Sequence, residues 1–447
     1  MKLQSIRHGL KQRGQVLVLG LVLMFVGCLG LYFLFNTGQV SATKQKLINS
    51  ADAAAYSAAV WRARVLNFHA YSNRAIVAQE VSVAQAVTLV SWSKYFETAA
   101  TNIADYSSWF PPAWFMQYVA QAAQYNSDLA EQAAEIEIKA RAASDYGYKE
   151  LLQKSQEILN LTVGVFGMGA VANEVIKAND SSYFAFALPD QNMVTNFTRR
   201  YESDTDRQRL KDIVNASLDD FVKDRNAALS VLPPGPCIPT NLQQVASRFI
   251  KRGGTTMGAS LDRWEAVDTL STHVWKAKAW YNPSCGKEPE LVPLGYGAAE
   301  SSENNSAGSI QNNPGSSASF NPWATSTSTS DMMSDSGYGG ITKVRELNYE
   351  GLSNSRFPTS SVAVLARKER ATLHTSAQIG VGIGRLALNE NLAGNRIWAL
   401  SAAEVYFASP NDSGTQVEYA SLYSPYWQAR LVEPSLTQRI VAEGYVN

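Results

Sequence analysis

The side chains best suited to proton transfer near neutral pH are the chain's four histidines, His8, His69, His273 and His374. His8 is cut off from the other three by the apolar run Val16–Phe35. His69 falls in a helical pattern near Arg62, Arg64 and Arg74, neighbours that suit a polar helix face better than a catalytic base. The three cysteines, Cys28, Cys237 and Cys285, make no CxxC or Cys/His cluster, so the spacing that holds zinc is missing. No HExxH, GxSxG or P-loop pattern occurs. Gly380-Val381-Gly382-Ile383-Gly384 resembles a phosphate loop but falls short of GxGxxG, and it reads as a strand or turn feature. These residues predict a non-enzyme with no catalytic residues, no metal, no cofactor and no small-molecule substrate.

The elements around those residues are more informative. Val16–Phe35, VLVLGLVLMFVGCLGLYFLF, carries no charge, and a helix of that length spans the ~30 Å hydrocarbon core of a bilayer. A buried core helix or a cleaved secretory signal are the rival readings. The run is longer than a signal's apolar region, and the best cleavage site it offers is the weak Val40-Ser41-Ala42. Lys2, Arg7, Lys11 and Arg13 precede the span, and no acidic residue occurs before Asp52, which places the N-terminus in the cytoplasm. No other stretch is long and apolar enough to cross, so the expectation is a single pass with the bulk of the chain outside. Lys+Arg and Asp+Glu balance at 39 each, which gives no global field to draw in nucleic acid.

From Ala42 to about Phe110 there is no proline and much alanine, so the helix is expected to continue far beyond the membrane. Ala51, Ala55 and Ala59 stack on one face with Asp52 beside them. Small residues let two helices approach closely, so this face is a candidate packing interface, either with a partner or within the chain itself.

Arg13-Gly14-Gln15, the apolar run, and then Lys46-Leu47-Ile48-Asn49-Ser50-Ala51-Asp52-Ala53-Ala54-Ala55-Tyr56-Ser57-Ala58-Ala59 together resemble the N-terminal module of the TadE/TadG-like family. Its pattern is RGQ, a span, and an "NAADAAALAAA"-type helix. Arg13, Gly14, Gln15, Asn49 and Asp52 carry the match. The resemblance implies an inner-membrane-anchored, minor-pilin-like or scaffold component of a bacterial Tad/Flp pilus-assembly or secretion system. Its partners would be other machinery proteins or pseudopilins, and membrane lipid. Leu19 stands where a prepilin-peptidase substrate keeps glutamate, and no DxSxS adhesion motif occurs around Asp331, Asp335 or Asp412. The readings from other classes are a membrane-tethered envelope enzyme and an envelope structural or sensor protein unrelated to pili.

The predicted fold class is α+β: a transmembrane helix running into a long helical stalk, then a mixed α/β extracytoplasmic domain. The boundaries are a basic tail 1–15, the span 16–36, a helical region 37–231, a mixed segment 232–297, a flexible Ser/Asn/Gly-rich loop 298–340 and a strand-rich region 341–447. Pro111-Pro112 separates the first helix from a second over Ala113–Lys177, with a third from Asp204 to Leu229 capped by Asp204 or Thr205. Ser361–Leu365, Ile397–Phe407 and Ala420–Leu431 read as strands, with Ser401–Phe407 open to a helical alternative. Cys237 and Cys285 would both face an oxidising compartment while Cys28 sits in the bilayer, which makes the first two a candidate disulfide.

Overall fold

A computed structural model describes residues 15–107, 113–160, 166–189, 197–201, 203–232, 246–275, 277–279, 282–285, 290–302, 320–330, 332–335, 337–352, 354, 356–369, 372, 396–410 and 417–446. It is built around one helix. α1, Gln15–Ser107, runs for 93 residues, about 140 Å at 1.5 Å per residue. It contains no proline, and its only glycines, Gly20, Gly27, Gly30 and Gly38, lie in or next to the apolar run. α2, Ala113–Ile158, doubles back along it. Gln124 reaches Thr101, Arg141 reaches Ser82, and Gln156 reaches Ser72 and Asn73, so the two run antiparallel. The two therefore form an α-hairpin.

The remaining elements wrap the part of α1 beyond the apolar run. α3, Phe166–Asn179, leads into strand β1, Tyr183–Pro189, and a short β2, Thr198–Arg200. α4, Asp204–Ser217, and α5, Asp220–Lys223, precede β3, Ala227–Leu232. Then come β4 (Ala246–Met257), β5 (Arg263–Trp275), β6 (Ala277–Ala279), β7 (Asn282–Cys285) and β8 (Glu290–Ser302). α6 (Pro322–Ser330), β9 (Met333–Asp335), β10 (Arg345–Leu347), β11 (Ser360–Glu369), β12 (Arg396–Phe407), β13 (Trp427–Val432) and α7 (Leu436–Val446) complete the order.

Two sheets meet α1 at successive heights. The first has order β1-β11-β12-β13 and is antiparallel throughout; the second has order β3-β4-β5-β8-β9, with only β8–β9 parallel. The core nearer the apolar run joins α1 residues Leu47 to Leu66 to Met168, Ala172 and Ile176 of α3 and to Val362, Val364, Ala403 and Val405 of the first sheet. The farther core joins α1 residues Ile76 to Val90 to Leu210, Val214 and Val222 of α4 and α5 and to Met257, Trp264 and Ala299 of the second sheet.

The α+β class is as expected, but several boundaries move. The region 37–231 is not uniformly helical: β1 pairs with β11, Tyr183 against Lys368, a partner too distant in sequence to leave a local signal. The third helix stops at Ser217, and its cap is Ser203, which shares a capping box with Asp206. In the segment 298–340, residues 298–302 finish β8 and 322–330 form α6. The small residues of β8 reflect close packing against α1. A Cβ on Gly297 would lie 2.2 Å from the Ser91 carbonyl oxygen of α1, and one on Gly295 would lie 2.6 Å from the Ala99 Cβ. Only glycine lets the strand pass so near the helix. Ser401–Phe407 is strand, and the last expected strand contracts to Trp427–Val432.

Candidate functional site

The positions that chemistry or family resemblance singled out lie mostly along α1. From Val16 to Phe35 its large side chains are exposed, Leu17 at 71% and Leu34 at 70%, over a stretch with the length and composition to cross a membrane. Asn36, just beyond, turns its amide onto the Tyr32 carbonyl, which satisfies a polar group at the end of the apolar run. Arg13 and Gly14 lie outside the described residues, and Gln15 is the first helical residue. Asn49 is exposed and accepts from Gln45 Nε2 at 3.2 Å.

Ala51, Ala55 and Ala59 are each fully buried in the core nearer the apolar run. Asp52 Oδ1 accepts from Ser401 Oγ of β12 at 2.5 Å, and Lys44 donates to the Trp398 carbonyl of the same strand. The small face therefore finds its partner inside the chain. In this fold the first sheet closes it off, because alanine lets a strand lie as near the helix as another helix could.

Polar residues of α1 that sequence reasoning did not single out turn out to fix the sheets in place. Asn67 pairs with the Trp427 backbone twice, donating to its carbonyl and accepting its N–H, both at 3.0 Å. Asn73 donates to the carbonyls of Arg345 and Leu422, each at 2.8 Å. Thr98 does the same for β8, accepting the Tyr296 N–H at 2.7 Å and donating to its carbonyl at 2.8 Å. The helix thereby bonds backbone groups of β13, β10 and β8 and of Leu422. The available signal was asparagine and threonine, poor helix formers, recurring inside an alanine-rich helix.

Several buried ionisable groups face inward and are engaged with one another. Glu80 of α1 accepts from Trp264 Nε1 at 3.2 Å and Tyr338 Oη at 2.7 Å, and pairs with Lys149 of α2 at 2.5 Å. Asp145 pairs with the same lysine. Burial pushes Asp145 up to about 6; Lys149 opposes that and Glu80 adds to it. Burial would lower Lys149, but the two carboxylates hold it above the ordinary lysine range. Two carboxylates thus share one cation. In the second sheet, burial would raise Asp268, yet Lys251 and Arg225 hold it below the usual carboxylate range. Arg225 approaches it at 2.8 and 2.9 Å, and Ser91 donates to it at 2.8 Å. His273 Nε2 lies 2.7 Å from Asn321 Oδ1.

His69 is fully buried and pushed down to about 3, by burial first and then by Arg62 and Arg345. It is a neutral interior group. A cleft of about 260 Å³ lies between α1, α2 and α5, lined by Ser82, Gln85, Leu89, Arg141, Asp219 and Phe221. Its polar groups bond each other: Gln85 to Asp219 at 3.0 Å and Arg141 to Ser82 at 2.5 Å. Among the described residues no group of three or more His, Cys, Asp or Glu side chains converges as a metal site. Cys28 is exposed on the apolar run, and Cys285 ends β7. Cys237, His374 and the Gly380–Gly384 string lie outside the described residues.

Residues 14–62 match a family model described as putative Flp pilus-assembly TadE/G-like. No curated protein and no solved structure matches the chain. The matched stretch covers the apolar run and most of the small face of α1 in the core nearer that run.

Proposed function

We propose that this protein is a membrane-anchored structural component of a Flp/Tad-type pilus-assembly or secretion system, acting as a scaffold or minor-pilin-like subunit rather than as an enzyme. The N-terminus is cytoplasmic, and the chain beyond about residue 36 lies outside the inner membrane. The family match over 14–62 supports involvement in Flp pilus assembly. The finer reading rests on one observation: the apolar run and the spine of both cores belong to the same helix. A domain folded around the continuation of its own anchor is held to the membrane without a linker. That suits a part of an assembly, which must keep its height and orientation, better than an enzyme on a tether. Lipid surrounds Val16–Phe35, and other pilus-machinery proteins or pseudopilins contact the domain's outer surface.

The test is genetic and biochemical. Deleting the gene should abolish piliation, and a tagged full-length chain should retrieve other pilus-machinery proteins from detergent-solubilised membranes. A flexible Gly-Ser insertion between Val40 and Ser41 should leave membrane insertion intact but fail to restore piliation. Normal piliation in the deletion strain overturns the reading.

A further inference from the structure

α1 has one side that the rest of the chain leaves uncovered. Between Lys46 and Phe96 every exposed residue of the helix falls within an arc of roughly 120°, taken at 3.6 residues per turn, so the open positions form one stripe about 75 Å long. A helix face that meets water normally carries charged and polar residues. This one presents large apolar and aromatic side chains, Tyr56, Phe68, Tyr71, Leu89, Trp92 and Phe96, with Tyr71 62% and Tyr56 46% exposed. Trp92 stacks on Phe96 at 5.6 Å and meets Phe221 of α5 edge-on at 6.3 Å, so an aromatic patch is already assembled at the far end. Ala53, Ala75 and Ala78 leave gaps between the large residues. Farther along, Ser82, Gln85 and Leu89 open the stripe into the cleft of about 260 Å³.

The charge on this stripe has one sign. Lys46, Arg64 and Arg74 are exposed on it, and among the described residues none of the three forms an ion pair. Asp52 and Glu80, the carboxylates of α1 in this interval, are committed to the chain's own elements, Asp52 to Ser401 and Glu80 to Lys149. Arginine set among tyrosine and tryptophan is the composition enriched where partners bind. Lipid headgroups are out of reach of the two arginines, because at 1.5 Å per residue Arg64 and Arg74 stand about 43 and 58 Å along the helix from Phe35. Charge also argues against a second copy. Both copies would leave the membrane in the same direction, and a parallel twofold pair sets Arg64 against Arg64 and Arg74 against Arg74.

We propose that the open stripe of α1 is the docking face for a long helix of a different membrane-anchored protein, one that carries Asp or Glu opposite Arg64 and Arg74. A single helix matches a face one helix wide, and its side chains pack between the aromatics at Ala53, Ala75 and Ala78. Its carboxylates supply the counter-charge that the stripe lacks. The stripe begins at Lys46, about 16 Å along the helix from Phe35, so a helix that fills its whole length comes down to the same membrane. The inference rests on Val16–Phe35 being a membrane span and is independent of any role in pili.

The test is photo-crosslinking of the full-length chain in its native cells, with p-benzoylphenylalanine placed in turn at Tyr56, Tyr71 and Trp92, and at Leu431 of β13 as an exposed control away from the stripe. Crosslinked peptides are then identified by mass spectrometry from washed membranes. The expected result is that the three stripe positions link to the same protein, at points progressively farther from that protein's own membrane span, in a segment bearing Asp or Glu. Arg64→Glu should cut the yield from Tyr71 about tenfold or more at unchanged protein level, and Arg64→Lys should keep most of it. An Asp or Glu→Arg change in the identified segment should restore the yield in Arg64→Glu. Links to a second copy of this chain overturn the proposal, as do yields no higher than from Leu431, links scattered over unrelated proteins, or full yield in Arg64→Glu. Recovery of the chain outside the membrane fraction overturns it as well, whereas piliation enters none of these readouts.

Discussion

α1 is buried twice, and the two stretches are buried in different ways. Nearer the apolar run, from Leu47 to Leu66, its inward face is mostly alanine, and the first sheet and α3 lie directly on it. Farther out, from Ile76 to Val90, it meets larger partners such as Trp264 and Tyr338 and carries Glu80 into the interior, where Lys149 and Asp145 wait on α2. The first stretch is held by close approach, the second by filled volume plus a network of charges. Small residues tolerate no added bulk, and a charge network tolerates no lost member. The two stretches should therefore fail to different substitutions.

The largest effect is expected in the farther stretch. Lys149→Met removes the cation shared by Glu80 and Asp145 and leaves buried negative charge, at a cost of about 3–5 kcal/mol. Denaturant unfolding in detergent should show it, and adding Asp145→Asn should recover part of the loss.

A pH profile separates the stretches next. Asp145 holds its proton more tightly folded, at about 6, than unfolded, at 3.8, so the native state binds the extra proton between those values. Stability should fall as pH rises from 3.8 to about 6 and level off above, by at most about 3 kcal/mol. Asp268 has the opposite sign, its contribution being lost as pH falls through its lowered folded value. Tm measured against pH in Asp145→Asn should lose the fall toward pH 6 and keep the acid loss.

In the alanine stretch, Ala55→Leu inserts bulk where a sheet already touches the helix and should cost about 1–3 kcal/mol. The same change at an exposed position of α1, such as Ala53→Leu, should be nearly neutral. The smallest effect is Ser401→Ala, which removes the donor to Asp52 and should cost about 1 kcal/mol, while Asp52→Ala in the Ser401→Ala background should add little.

The same contrast explains what could be read from the sequence. The apolar run, the unbroken helix after it and the strands near 360–369 and 396–407 follow from hydropathy, alanine content and β-branched runs, all local signals. The second sheet was obscured because its strands carry charge inward. Arg263, Glu265, Asp268 and His273 of β5 are all buried, which breaks the expected alternation. The alanines and serines after Gly297 read as loop composition until α1 is seen lying across β8. Arg62 and His69 read in the sequence as a polar helix face, and only the fold puts that face inside.

The central claim is that anchor and spine are one rigid helix. The most direct measurement is the distance between spin labels at Leu31→Cys, in the apolar run, and Tyr71→Cys, on an exposed face beyond it, by pulsed electron resonance on the chain in lipid nanodiscs with its own three cysteines replaced. An unbroken helix at 1.5 Å per residue predicts a single narrow distribution centred near about 60 Å. A broad distribution, or one centred well below that value, would contradict it.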